Sequence, residues 1–205
     1  MNLLYPKIRF ALLPDMLGYA VVGGLLAGCY GILHDQVTYS ISPEYFTRLK
    51  FPQFHYANLG LSHRVFVGEI GFLATWWVGF LAAWFIARIT VPAFPRTAAF
   101  RHSLRGFLIV LAFALASSIV GYVLGILHGS DYLAWEDLTS TLGVVDLPGF
   151  VRVAYIHDAS YLGGAVGLIA AIIYLKKLKS TEQDGRSERR DNVACPSRAS
   201  LARGR

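Results

Sequence analysis

The chain has 205 residues, of which 55% are hydrophobic and only 16% are charged, an apolar excess that argues against an ordinary soluble domain. Its net charge of +6 would suit nucleic acid, but the basic residues flank apolar segments or lie near the C-terminus, as in membrane proteins. The sequence therefore predicts an integral membrane protein that contacts the lipid bilayer and has no nucleic-acid partner.

Four apolar stretches predict transmembrane helices. Each is close to the roughly 20 residues that a helix needs to cross about 30 Å of hydrocarbon, and irregular backbone cannot face lipid. The predicted spans cover about residues 16–33, 65–87, 106–127 and 153–175. Residues 1–179 thus form a predicted four-helix transmembrane domain, and residues 180–205, rich in Arg, Ser and Asp, are predicted to be a disordered basic cytoplasmic tail.

The distribution of basic residues predicts the orientation. Of the 19 Lys and Arg residues, 15 lie before the first span, between the second and third spans, or after the fourth. Basic segments are retained on the cytoplasmic side of a membrane. Both termini are therefore predicted to be cytoplasmic, in a multi-pass protein of the plasma (inner) membrane.

One motif near the N-terminus offers an alternative interpretation of the first span, as a cleaved signal peptide. Residues 25–29 (Leu-Leu-Ala-Gly-Cys) follow a basic N-terminus and an apolar run, the pattern of a bacterial lipoprotein signal peptide with Cys29 as the lipidated residue. Pro14 and Asp15 interrupt the apolar run, which favours a retained helix. Processing at Cys29 stays open at this point.

An internal repeat relates the two halves of the chain. Residues 31–34 (Gly-Ile-Leu-His) recur at residues 125–128, an offset of 94 that also carries His63 onto His157. Each half is then a helical hairpin with one histidine ending its first helix and one beginning its second. Both copies enter the membrane from the same side, as in a parallel repeat. The predicted fold is an all-α integral membrane four-helix bundle of two parallel-repeat hairpins, with these four histidines at the extracytoplasmic face.

The repeated histidines and nearby carboxylates form a candidate metal site. Ionisable groups at membrane depth are costly and usually mark a functional site. Imidazole with carboxylate suits a divalent Fe, Zn, Mn or Cu ion. The predicted ligands are His34, His63, His128, His157, Asp35, Asp158 and Glu69. Tyr161 lies one helical turn after His157 and is predicted to support it or a ligand through its hydroxyl.

A short segment supports a family resemblance. Residues 34–38 (His-Asp-Gln-Val-Thr) and 44–47 (Glu-Tyr-Phe-Thr) resemble a segment of uncharacterised bacterial four-span membrane proteins. The match covers about 20 residues and carries no activity, substrate or cofactor. It implies a bacterial plasma-membrane protein, with His34, Asp35 and the supporting residue Glu44 in a shared site.

Three functions remain open from the sequence. The first is a membrane metalloenzyme or redox protein, in which the ligands hold a metal ion or, as a variant, histidines bind haem between helices. The second is a small transporter or proton-coupled carrier that would need a homo-oligomer to build its pathway. The third is a structural or assembly subunit with histidines as interfacial residues. No nucleotide-binding loop or zinc-protease His-Glu-x-x-His motif occurs.

Overall fold

The computed structural model describes residues 9–129 and 135–194, and over these two ranges the chain is helical without a β-strand. Four helices of the described chain are long and apolar enough to cross a membrane. They are α1 (Leu13–Ile41), α3 (His63–Thr90), α4 (Arg96–His128) and α6 (Leu147–Ala194). The prediction of an all-α chain with four helices able to span a bilayer is confirmed.

Short helical elements fill the connections. Between α1 and α3 lie a π-helical turn (Tyr45–Lys50), the short helix α2 (Phe51–Gln53) and a 3-10 turn (His55–Ala57). Helix α5 (Trp135–Leu142) precedes α6. Pro95 is the N-cap of α4, a position whose backbone N–H makes no helical hydrogen bond, so proline is tolerated there. The segments at the α1–α3 and α4–α6 connections lie at one end of the bundle, which we call the loop end.

Glycines allow α1 to pack closely along α3, and α4 along α6. A Cβ on Gly31 would overlap the carbonyl oxygen of Gly71, and a Cβ on Gly121 would overlap that of Tyr155. Lipid provides no hydrophobic force between helices, so close backbone packing supplies the van der Waals contact that holds each pair together. Packing between the two pairs is less extensive.

The last helix is longer than the sequence predicts. The predicted span ends near residue 175 and the predicted disordered tail begins at residue 180, whereas α6 continues to Ala194. Residues 176–194 include Lys, Glu, Gln and Arg, which have high helix propensity, and an existing helix extends without a new nucleation step. Residues 195–205 of the predicted tail lie outside the described residues.

Candidate metal centre

Helix α1 presents an adjacent imidazole and carboxylate near its C-terminal end. Asp35 is only 7% exposed, so its charge needs a partner within the protein. Nδ1 of His34 lies 3.2 Å from Oδ1 of Asp35, within hydrogen-bonding distance. Thr38, also buried, donates to the carbonyl oxygen of His34 at 3.1 Å. The two side chains are therefore held by α1 itself.

Helix α6 brings His157 to the same point. Its Nε2 lies 3.6 Å from Oδ1 of Asp35, and its ring centroid lies 4.8 Å from that of His34, with the rings 78° apart. One candidate ligand atom from each of His34, Asp35 and His157 lies within 4.8 Å of the others. Residues far apart in sequence thus form one compact His/Asp/His cluster.

Both histidines have a buried nitrogen without a hydrogen-bond partner in the described chain. These atoms are Nε2 of His34 and Nε2 of His157. Nε2 of His34 lies across the ring from the Nδ1 that contacts Asp35, so this contact leaves Nε2 without a partner. A buried polar atom without a partner is costly. The cluster therefore offers two imidazole nitrogens and one carboxylate in need of a cation or proton donors.

The distances suit a small ion. Bonds from a metal such as zinc to imidazole nitrogen or carboxylate oxygen are about 2.0–2.2 Å, so tetrahedral ligand atoms lie roughly 3.4 Å apart. The 3.6 Å separation between Asp35 and His157 is close to that value. The ring separation of 4.8 Å between His34 and His157 leaves no room for a porphyrin between them. The donor set therefore fits a single ion better than haem.

Aromatic side chains cover the cluster. From the π-helical turn, the ring of Tyr45 lies 4.8 Å from the His157 ring and that of Phe46 lies 6.0 Å away. From α1, Tyr30 lies 5.5 Å from the His34 ring. Burial raises the pKa of Tyr45, and the charges of Asp158 and Asp35 raise it further. The phenol therefore stays neutral and shields the cluster from water.

A lysine brings positive charge to the same covering segment. The Nζ of Lys50 lies 5.5 Å from the centroid of the Tyr45 ring. Burial lowers the pKa of Lys50, while the charges of Asp35 and Asp158 raise it. Among the described residues, no carboxylate lies within 4.0 Å of this ammonium group. Lys50 is thus a half-buried cation near the cluster that forms no close ion pair with the described residues.

The two remaining repeat histidines are exposed and lie outside the cluster. The ring of His63 packs against Phe51 at 5.2 Å, and the ring of His128 lies 5.9 Å from Tyr155. The 94-residue offset carries the pair His34 and His157 onto the pair His128 and His63. Of these four histidines His157 is buried and His34 is partly buried, and the π-helical turn of the first connection covers His157.

The two remaining predicted carboxylate ligands also lie outside the cluster. Asp158 is exposed, since the residue after His157 points to another side of α6. Glu69 lines a separate groove between α1 and α3 with Gln36 and Arg64. Neither of its carboxylate oxygens has a hydrogen-bond partner in the described chain. The structure therefore groups three of the seven predicted ligands.

The two predicted supporting residues contact backbone rather than the cluster. The hydroxyl of Tyr161 donates to the carbonyl oxygen of Ala74 at a long 3.5 Å, which links α6 to α3. Oε2 of Glu44 accepts from the backbone N–H groups of Val145 at 2.9 Å and Asp146 at 2.6 Å. Glu44 thus ties the first connection to the start of α6 and positions His157 indirectly.

Sequence reasoning missed Tyr30, Tyr45 and Lys50. Tyr30 was detectable, because it precedes His34 by one helical turn and so shares its face of α1. Tyr45 and Lys50 reach the cluster through an irregular π-helical turn, for which the sequence has no periodic signal.

No protein-family model, curated protein or solved structure matches this chain. The resemblance to bacterial four-span proteins stays a prediction, and the function is inferred from the geometry of the cluster.

Proposed function

We propose that this chain is a multi-pass membrane metalloprotein in which His34, Asp35 and His157 bind one divalent transition-metal ion. The observation that carries the proposal is the convergence of one candidate ligand atom from each of His34, Asp35 and His157 within 4.8 Å, at a point where Asp35 and His157 are buried. One cation at this point would bind both imidazoles and neutralise Asp35. Without a cation, the buried carboxylate has only the two imidazoles as partners, at 3.2 Å and 3.6 Å, and burying a charge in an apolar environment is costly.

The donor set indicates the class of ion and the chemistry it would supply. Two imidazoles and one carboxylate suit Fe, Mn, Zn or Cu, and no thiolate belongs to the cluster. Three protein ligands leave at least one coordination position for water or substrate, as in catalytic rather than structural sites. When bound, such an ion supplies Lewis-acid activation of water or a redox centre. The aromatic cover of Tyr45 and Phe46 would exclude bulk water from it.

We further propose that the loop end faces the extracytoplasmic side of a bacterial plasma membrane. Arg88, Arg96, Arg101 and Arg105 lie near the opposite end, where α3 ends and α4 begins, and Lys176, Lys177 and Lys179 follow the apolar part of α6. The positive-inside rule then makes both termini cytoplasmic. The close packing of α1 with α3, and of α4 with α6, supports two hairpins related by the sequence repeat. Reporter fusions at the C-terminus and in the α4–α6 connection test the orientation, and an extracytoplasmic C-terminus would overturn it.

The metal proposal is tested by elemental analysis of detergent-purified protein. Wild type should contain close to one metal ion per chain, which His34→Gln, Asp35→Asn and His157→Gln should each lose. The matched control is His128→Gln, the same substitution at an exposed histidine outside the cluster, which should keep its metal. Circular dichroism and gel filtration confirm that each variant folds.

Two outcomes would overturn the metal proposal. One is well-folded wild type that binds no Fe, Mn, Zn or Cu, either as isolated or after titration with each ion. The other is equal loss of metal in His128→Gln and His157→Gln. If no metal binds, the His/Asp/His cluster fits a proton relay, because Tyr30 extends it toward Ser160 at 3.1 Å and Ser118 at 3.5 Å.

A further inference from the structure

Glu69 on α3 is an acidic side chain that the candidate metal centre does not use. It lies six residues after His63, the first residue of α3, and therefore roughly 9 Å along the helix. Both of its carboxylate oxygens are buried, and neither has a hydrogen-bond partner in the described chain. No Lys, Arg or His nitrogen of the described residues lies within 4.0 Å of either oxygen. Among the acidic side chains that the structure describes, only Glu69 has both oxygens buried and unpartnered.

The polar residues of the groove around Glu69 are bonded to other groups. Nε2 of Gln36 donates to the carbonyl oxygen of Arg64 at 2.7 Å, and the Arg64 guanidinium donates to the carbonyl oxygen of Gln36 at 3.0 Å. The same guanidinium donates to Oγ of Ser40 at 3.1 Å and lies 4.7 Å from the centroid of the Tyr39 ring. These contacts hold Arg64 against the end of α1.

The rest of the groove wall brings no charge to Glu69. Helix α1 contributes Ile32 and Gln36, and the first connection contributes Ala57 and Leu59, all of them uncharged. Besides Glu69, the described wall of the groove contains one charged residue, Arg64. An ionised Glu69 would therefore lack both a donor and a close counter-ion in the described chain, inside a helix that is apolar enough to span a bilayer.

A proton is the ligand that this arrangement favours. Burying a carboxylate without a donor or counter-ion is far more costly than burying the neutral acid, and one proton removes the charge. The groove also offers a route to water. Arg64 and Leu59, which line it, are both exposed, and Arg64 is only about 7–8 Å along α3 from Glu69, toward the loop end.

We propose that Glu69 is a proton-binding site in the membrane region, which exchanges its proton with water at the loop end through the groove beside Arg64. This site goes beyond the metal proposal and does not depend on it, because Glu69 lies outside the His/Asp/His cluster. A carboxyl group that gains and loses a proton at membrane depth is the kind of group on which proton-coupled membrane proteins rely.

Dicyclohexylcarbodiimide tests whether Glu69 carries a proton. This apolar reagent partitions into the bilayer and reacts with a protonated carboxyl group. The O–H adds across one C=N bond, and migration of the acyl group to nitrogen gives an N-acylurea, so nothing is released and the peptide gains the whole mass of the reagent. In proteoliposomes at neutral pH, mass spectrometry should find Glu69 labelled roughly tenfold more than Glu136, an exposed acid that is ionised in water.

The pH dependence of labelling tests exchange with water. Raising the pH at the loop end should remove the label from Glu69, because the proton is lost, and returning to the starting pH should restore it. Glu69→Gln, which keeps the shape of the side chain, should not be labelled at this position. The infrared difference spectrum between wild type and Glu69→Gln should contain the C=O band of a protonated carboxyl group, and this band should also disappear at high pH.

Arg64→Gln and added sodium test the two alternative partners of the carboxylate. Labelling should be unchanged in Arg64→Gln, since the arginine does not neutralise Glu69, and unchanged when Na⁺ replaces choline at constant pH. Labelling that appears only in Arg64→Gln would assign Glu69 to an ion pair, and protection by Na⁺ would assign a sodium site. Either result overturns the proton site.

Two further outcomes would also overturn the proposal. One is a well-folded wild type with neither label nor protonated-carboxyl band at Glu69 at neutral pH. The other is a label that does not fall as the pH at the loop end rises, which would show a carboxyl group that does not exchange its proton. The metal content of Glu69→Gln should equal that of wild type, so the proton site and the metal proposal succeed or fail separately.

Discussion

Replacing Gly31 by alanine should push α1 away from α3 and destabilise the bundle. An added Cβ would lie 2.8 Å from the carbonyl carbon of Gly71, about 0.6 Å short of ordinary contact, and would overlap the Gly71 oxygen. These are backbone atoms that cannot rotate away. Overpacking of this kind costs about 1–3 kcal/mol, while alanine regains roughly 0.5–1 kcal/mol over glycine in a helix. The expected net loss is about 1–2 kcal/mol.

Two other glycines of α1 provide a graded control. At Gly24 the added Cβ meets the Trp76 carbonyl oxygen at 3.1 Å, a tight contact that should roughly cancel the gain in helix propensity. At Gly18 it meets nothing within 4 Å, so alanine should be neutral or slightly stabilising. Unfolding in mixed micelles by added SDS, followed by tryptophan fluorescence, should rank stability as Gly18→Ala, then Gly24→Ala, then Gly31→Ala. Three equal values would refute packing through close backbone contact.

Two further predictions concern the loop end and the candidate centre. Glu44→Ala should lower the free energy of unfolding by about 1–3 kcal/mol, because two backbone N–H groups lose a charged acceptor. The control Glu136→Ala, at an exposed site, should leave the free energy of unfolding unchanged. Equal effects of the two substitutions in SDS unfolding would contradict this prediction. Metal at about 100 times its dissociation constant should raise the free energy of unfolding of wild type by about 2.7 kcal/mol and leave that of Asp35→Asn unchanged. Thermal unfolding measures both values. Equal stabilisation of the two proteins would place the ion elsewhere.

Much of the membrane architecture is predictable because it depends on local composition. The four spans follow from the length of the apolar runs, and each lies inside a longer helix of the structure. The helix ends are less predictable. Helix α1 continues eight residues beyond its predicted span, to Ile41, since polar residues such as Gln36 and Ser40 still form helix where hydropathy has already fallen. Hydropathy measures what lipid tolerates, whereas a helix ends where its backbone hydrogen bonds end.

The candidate site is only partly readable from the sequence. The residue types and the 94-residue repeat single out His34 and His157, together with the adjacent Asp35, but they give equal weight to His63 and His128. The repeat treats the two halves as equivalent, while their connections differ in sequence. Residues 45–50 form a π-helical turn that covers His157 with Tyr45 and Phe46.

The sequence by itself determined the four apolar helices, the excess of basic residues toward one end and the presence of histidines beside carboxylates. Only the tertiary structure decided that His34 and Asp35 of α1 meet His157 of α6, that Glu69 lies elsewhere, and that Lys50 stands near the cluster. The physical reason is that hydropathy and charge act residue by residue along the chain. Contacts between α1 and α6 depend instead on how closely backbones pack at glycines and on how an irregular connection folds over the end of the bundle.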